Sequence, residues 1–296
     1  MGTAINNGVP LVVGDDVNTA TFHIQGGLHS FLKGITISSN ALLNGAASVF
    51  VTNLAGNALM EVRRGGGVSI DGSVLTVDRL IVTNGVGSML SLNGGVINTK
   101  TTSINNGSLF SIGDGGNAAT FHLLGGVHSF ADNLRVLTNG VLSGCGTING
   151  DVTIDPGGTI LADCGGTMTF TGVITNDGLI RATSGTALGS YGTLVNNGVI
   201  DIINGSTNFH GAFINNGTLL DLSSARITEV SNSGSTVIVK IQSYDGHTFR
   251  LQRRDVLDTG TWSYTGSPKS GTGGILSFTD AVSGLTTQRF YRFQIY

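Results

Sequence analysis

The sequence predicts an all-β chain in two parts: a parallel β-solenoid over residues 1–230 and a small antiparallel β-sandwich over residues 231–296. Three observations carry this expectation. They are the composition, a recurrence of turn glycines about every 20 residues, and an abrupt change of residue usage after Asn232.

Composition sets the class. The 296 residues include 47 glycines, only 11% are charged and 6% are aromatic, and Glu61 and Glu229 are the sole glutamates. Gly, Asn, Ser, Thr and β-branched residues favour short strands joined by tight turns, and no stretch keeps a helical period. Regularly spaced Leu, Ile, Val and Phe exclude a disordered polar tract. No apolar run reaches the roughly 20 residues a membrane-spanning helix needs. A net charge of −3 gives no basic footprint for nucleic acid. The opening "MGTAINNGVP" lacks the charged start and apolar core of a secretory signal, so any export signal is expected upstream of it.

The repeat comes next. Turn-like glycines run from Gly8 through Gly27, Gly45, Gly66 and Gly85 to Gly158, Gly178, Gly198 and Gly217, most of them one such period apart. The clearest marks are "INNGV" from Ile5, "INNGS" from Ile104, "ITNDG" from Ile174, "VNNGV" from Val195 and "INNGT" from Ile214. Asn-Gly is expected to supply positive φ at sharp corners. Short strands between corners, repeated at this period, predict about eleven coils stacked about 4.8 Å apart. A longer period is superposed: residues 5–43 align without a gap on 104–142, which reads as a five-coil block copied once.

Beyond Asn232 asparagine disappears, and Trp262 and four of the five tyrosines follow. Alternating segments there predict five or six strands with Trp262 and Phe249 in the core. Residues 233–296 carry seven Lys and Arg against four Asp, whereas residues 1–232 carry eight against fourteen acids. An acidic solenoid is expected to end in a basic cap.

The run "GCGTINGDVTIDPGGTILADCGGTMTFTG" from Gly144 resembles the passenger repeats of bacterial autotransporter-type secreted surface proteins. The tail "FRLQRRDVLDTGTWSYTG … FTDAVSG … RFYRF" is similar to small β-sandwich modules that end many such proteins. The resemblance covers most of the chain, in motifs of low complexity. It implies a right-handed parallel β-helix, an extracellular or cell-surface location, and adhesive or structural duty. No membrane-anchoring barrel sequence follows, which departs from that pattern.

Candidate sites are few. "FHIQGGLHSF" from Phe22 recurs as "FHLLGGVHSF" from Phe121, giving two histidine pairs, His23 with His29 and His122 with His128. Alternation places His23 and His122 towards solvent, and His29 and His128 at a Gly-Gly corner. A metal site would need each pair to converge with a third ligand, Asp15 or Asp16 and Asp114 in the copy. The alternative is a scaffold segment duplicated with its histidines. Cys145 and Cys164 lie close to one coil apart in sequence, which suits either a cross-coil disulfide or two stacked free thiols. Arg181, Asp201 and Asp221 recur once per coil and are expected to form a vertical ladder. The acids are otherwise dispersed, which argues against the paired carboxylates of a glycosidase. No cofactor is implied. The sequence therefore points to a non-enzymatic, extracellular structural or adhesive solenoid, with copies of itself as partner through head-to-tail stacking. A polysaccharide-binding or polysaccharide-degrading β-helix is the alternative.

Overall fold

A computed structural model describes residues 3–6, 8–82, 87–256, 259–282 and 288–296. Gly85 and the second asparagine of the first "INNG" lie outside them. The described residues contain no helix. Two units are present, one formed by residues 1–201 with 205–219 and the other by 202–204 with 220–296. The division falls somewhat before the expected boundary at 230, because Ile227–Ser233 is already an antiparallel strand of the second unit.

The first unit is a parallel β-solenoid of about 10 turns with about 21 residues per turn. Each turn has three sides. The first turn is built from Thr3–Ile5, Leu11–Val13 and the first half of Ala20–Phe31. The last complete turn is Val199–Asp201, Ser206–Phe209 and Phe213–Asn215. Parallel pairing with the same side of the adjacent turns satisfies each strand's backbone. Alternation directs one set of side chains inward. On the first side the inward column runs Val49, Leu75, Ile97, Phe121, Leu142, Ile160, Ile180, Ile200, all 5% exposed or less. Fully burying each such side chain contributes roughly 1.5–3 kcal/mol. The three sides meet across the interior at Phe110, Phe121 and Phe130, whose ring centroids are 5.6–5.9 Å apart.

Turn length is uneven, which lowers the coil number from eleven to ten. Early turns are long: Leu11 pairs with Ile35 and Ser48 with Val74. Late turns are short: Thr167 pairs with Ala187, and Ala187 in turn with Ser206. The glycine spacing therefore samples different corners. Of the marked glycines, Gly158, Gly178, Gly198 and Gly217 form one stack, and none of these has positive φ. Glycine is needed there because a Cβ on Gly198 or Gly217 would overlap the carbonyl oxygen of the glycine one coil earlier. Positive φ does occur at Gly8 and Gly107, where "INNG" falls at other corners.

The copied block is displaced by one side. Leu11–Val13 lies on the second side, but its equivalent Phe110–Ile112 lies on the third; residues 20–25 lie on the third side and their equivalents 119–124 on the first. The copy therefore begins four and one-third turns after the original, not five. The duplicated sequence specifies strand, bulge and strand equally well on any side.

The second unit has a three-stranded antiparallel sheet, Ile227–Ser233, Thr236–Gln242 and Ile275–Ala281. In a second sheet Thr248–Arg254 pairs with Ser263–Tyr264, Lys269–Ser270 and Phe290–Ile295. Val239, Ile241 and Phe278 from the first sheet and Phe249 and Leu251 from the second form one core. Trp262 is not part of it. The indole is half-buried, with the guanidinium carbons of Arg254 and Arg292 at 4.7 and 4.4 Å from the ring centroid.

Candidate functional site

The histidines of each pair point to opposite sides of the coil wall, so neither pair converges. His29 follows the inward column beside Val49, and His128 follows the inward column between Thr102 and Ile148. His23 and His122 face outward above Asn44 and Ser143. The Gly-Gly step is a bulge within one bent strand: register slips between Gln25 and Leu28, and again between Leu124 and Val127. Both glycines of each pair have positive φ. A bulge leaves a carbonyl out of the ladder. His29 Nε2 donates to the Gly26 oxygen at 2.8 Å, and His128 Nε2 donates to the Gly125 oxygen at 2.7 Å. The retained histidine is therefore the inner satisfier of the bulge. His128 is fully buried, and burial lowers its pKa even though the Gly125 bond opposes that. With Nε2 donating from a neutral ring, Nδ1 accepts from Thr102 Oγ1 at 3.1 Å.

The outward histidines fasten neighbouring coils. His23 Nδ1 donates to Asn44 Oδ1 at 2.7 Å, and His122 Nδ1 lies 2.7 Å from Ser143 Oγ. Asp15 and Asp114 are turn locks. Asp15 accepts from the Asn18 and Val17 amides and the Asn18 side chain, which holds it at about 2. Asp114 repeats this with Asn117 and Gly116. Among the described residues no three His, Cys, Asp or Glu side chains are grouped to hold a metal ion.

Four further marked residues, Cys145, Cys164, Arg181 and Asp201, also join coils. Cys145 and Cys164 form a disulfide between successive coils, with Cα atoms 5.7 Å apart. Arg181 stacks on Asp201 and its Nε donates to the buried carboxylate at 2.9 Å. Asp221 belongs to the second unit, and its carboxylate accepts from Ser223 Oγ at 2.6 Å and the Ser224 amide at 3.1 Å.

Two fastenings escape the sequence reading. In the marks from Ile174 and Val195 the first asparagine points inward and the residue after it outward. Asn176 Nδ2 donates to Asn196 Oδ1 and Asn196 Nδ2 to Asn215 Oδ1, both at 2.7 Å, with Asn176 and Asn196 fully buried. Their Nδ2 groups also donate to the Val199 and Thr218 oxygens. Outside, Asn216 donates to Asn197 and Asn197 to Asp177 at 3.0 and 2.8 Å. The second is Asp78, fully buried at a corner. It accepts from the Asn53 and Ala58 amides of the preceding coil and pairs with Lys100 Nζ of the following coil at 2.7 Å. Burial pushes this carboxyl up, but Lys100 and the two amides outweigh it and hold the group below its ordinary range. The sequence signal was a lone acid inside the apolar run "LTVDRLIV".

The fold and these columns define a class: a three-sided parallel β-solenoid whose polar side chains bind turn to turn, followed by a small antiparallel β module. No protein-family model, curated protein or solved structure matches the chain.

Proposed function

We propose that the chain is a structural and adhesive element of the extracellular or cell-surface space, built to persist and to associate with copies of itself. One observation carries this reading: many polar and charged side chains of the solenoid are engaged between coils. Cys145–Cys164, Arg135–Asp155, Arg181–Asp201, the asparagine column and Asp78–Lys100 all join different turns. The acids a polysaccharide-degrading alternative would employ are among those engaged. A disulfide between coils suits an oxidising compartment. Self-association is supported by an apolar surface on the solenoid: Val9, Val12 and Val17 are 58%, 55% and 77% exposed. Contacts between copies that are not self-complementary need not close.

Electron microscopy of the purified chain, with light scattering at several salt concentrations, tests the proposal. Concentration-dependent linear particles are the expected result. Monodisperse monomers at high concentration would contradict assembly, and reducing-sugar release from polysaccharide would contradict the non-enzymatic reading.

A further inference from the structure

The second unit holds its arginines in two different ways. Arg253 and Arg289 face Asp280, which accepts from both at 2.7 Å and also from Thr265 and Tyr291 at 3.0 Å. Arg289 reaches Asp255 as well, at 2.8 Å. Those two guanidiniums are neutralised. Arg250, Arg254 and Arg292 lie on the outer face of the Thr248–Arg254 sheet, and among the described residues no carboxylate pairs with any of them.

These three are fixed nonetheless. Arg250 lies over Tyr264 at 3.7 Å, and Arg254 and Arg292 over Trp262 at 4.7 and 4.4 Å. Arg292 Nε donates to Gln252 Oε1 at 2.7 Å. The Nε atoms of Arg250 and Arg254 are buried and have no hydrogen-bond partner. A buried unsatisfied donor is destabilising, and three unpaired cations on one sheet face repel one another. Such an arrangement is stabilised by an anionic ligand. Register places Arg250 beside Gln294, and both Arg292 and Tyr264 beside Gln252. Tyr264 Oη donates to Gln294 Oε1 at 2.5 Å and lies 3.5 Å from Tyr296 Oη. Amides and phenol hydroxyls thus alternate with preorganised guanidiniums.

We infer that this face binds an acidic polysaccharide through its carboxylates. Guanidinium forks match planar carboxylates in bidentate geometry, and the neighbouring amides and hydroxyls match sugar hydroxyls. Guanidiniums already lie over the indole and the Tyr264 ring, which disfavours the base stacking a single-stranded nucleic acid would use. Rings that hold the cations in place reduce the ordering cost of binding. The inference deepens the adhesive part of the proposed function, on which it rests, and is independent of assembly.

The test is calorimetric titration of the full chain with polygalacturonate, dextran, poly-glutamate and phosphatidylglycerol vesicles. Polygalacturonate binding that weakens with salt, with dextran inert and the other two anions at least tenfold weaker, is expected. The triple variant R250Q/R254Q/R292Q should lose at least tenfold in affinity, and R250K/R254K/R292K should recover only part of it because the fork is lost. Wild-type binding measured against salt concentration does not depend on the variants folding. Equal binding of dextran, poly-glutamate or vesicles, or an unaltered affinity in a folded triple variant, would overturn the inference. Loss of filaments without loss of polygalacturonate binding would sink self-assembly alone.

Discussion

Replacing Asn196 with alanine should destabilise the solenoid far more than replacing its neighbour Asn197. Both belong to the tripeptide "NNG", yet Asn196 is fully buried in the inner column while Asn197 lies in the outer one. Truncating Asn196 removes the acceptor for Asn176 Nδ2 and the donor to Asn215 Oδ1 and the Thr218 oxygen. The stranded Asn176 N–H alone costs about 1–3 kcal/mol, and the two lost bonds to the next coil add roughly 0.5–1.5 kcal/mol each at most. The sum is about 2–6 kcal/mol. Asn197 also joins neighbouring coils, but water replaces its exposed partners, so its loss should cost about 0.5 kcal/mol or less. Urea unfolding followed by far-ultraviolet circular dichroism, with slopes compared between variants, measures both. Equal losses for Asn196→Ala and Asn197→Ala would refute the distinction between inner and outer columns.

Three further outcomes follow from the same geometry. Reduction of Cys145–Cys164 should lower stability by about 3 kcal/mol on the loop-entropy estimate, read as a lower unfolding midpoint in dithiothreitol; an unchanged midpoint would contradict a bridging role. Because the folded pKa of His128 is depressed, the unfolded chain binds more protons just below the ordinary histidine range. Stability should therefore fall as pH drops through 6.5, by at most about 1.4 kcal/mol per pH unit, and this component should vanish in His128→Gln. Asp78 is ionised in the fold and has a lowered pKa, so its contribution is present above the ordinary carboxylate range and fades as pH falls below it. Asp78→Asn should cost roughly 1–3 kcal/mol at neutral pH and flatten the acid limb of the stability curve.

The solenoid was legible because turn spacing and alternation are local properties of the chain. The marked glycines misled in detail for a physical reason. Glycine is demanded both where φ is positive, as at Gly8, and where coils approach too closely for a Cβ, as at Gly198. A spacing that mixes the two counts corners on different sides as if they were one. The same mixing made the copied block look like whole turns. The histidines were read as a pair because sequence shows proximity along the strand, while the bulge sends one to each face of the wall. Asp78 and Lys100 lie a full turn apart along the chain and meet only because turn length places them at successive corners. Alternation of the tail segments predicts Trp262 in the core, but Arg254 and Arg292 give it a cationic cover that no local pattern announces.

Register is the most direct test of the three-sided coil and its displaced copy. Asn98 pairs with His122 across adjacent turns, whereas uniform coils at the period of the glycine marks would pair Thr102 with His122. Paired cysteines at those positions, oxidised and mapped by mass spectrometry alongside the native Cys145–Cys164 bridge, separate the two. Strand-neighbour spacing of about 4.8 Å lies within disulfide reach. Closure of the bridge in N98C/H122C and not in T102C/H122C is the predicted result. Closure in T102C/H122C alone would contradict the account.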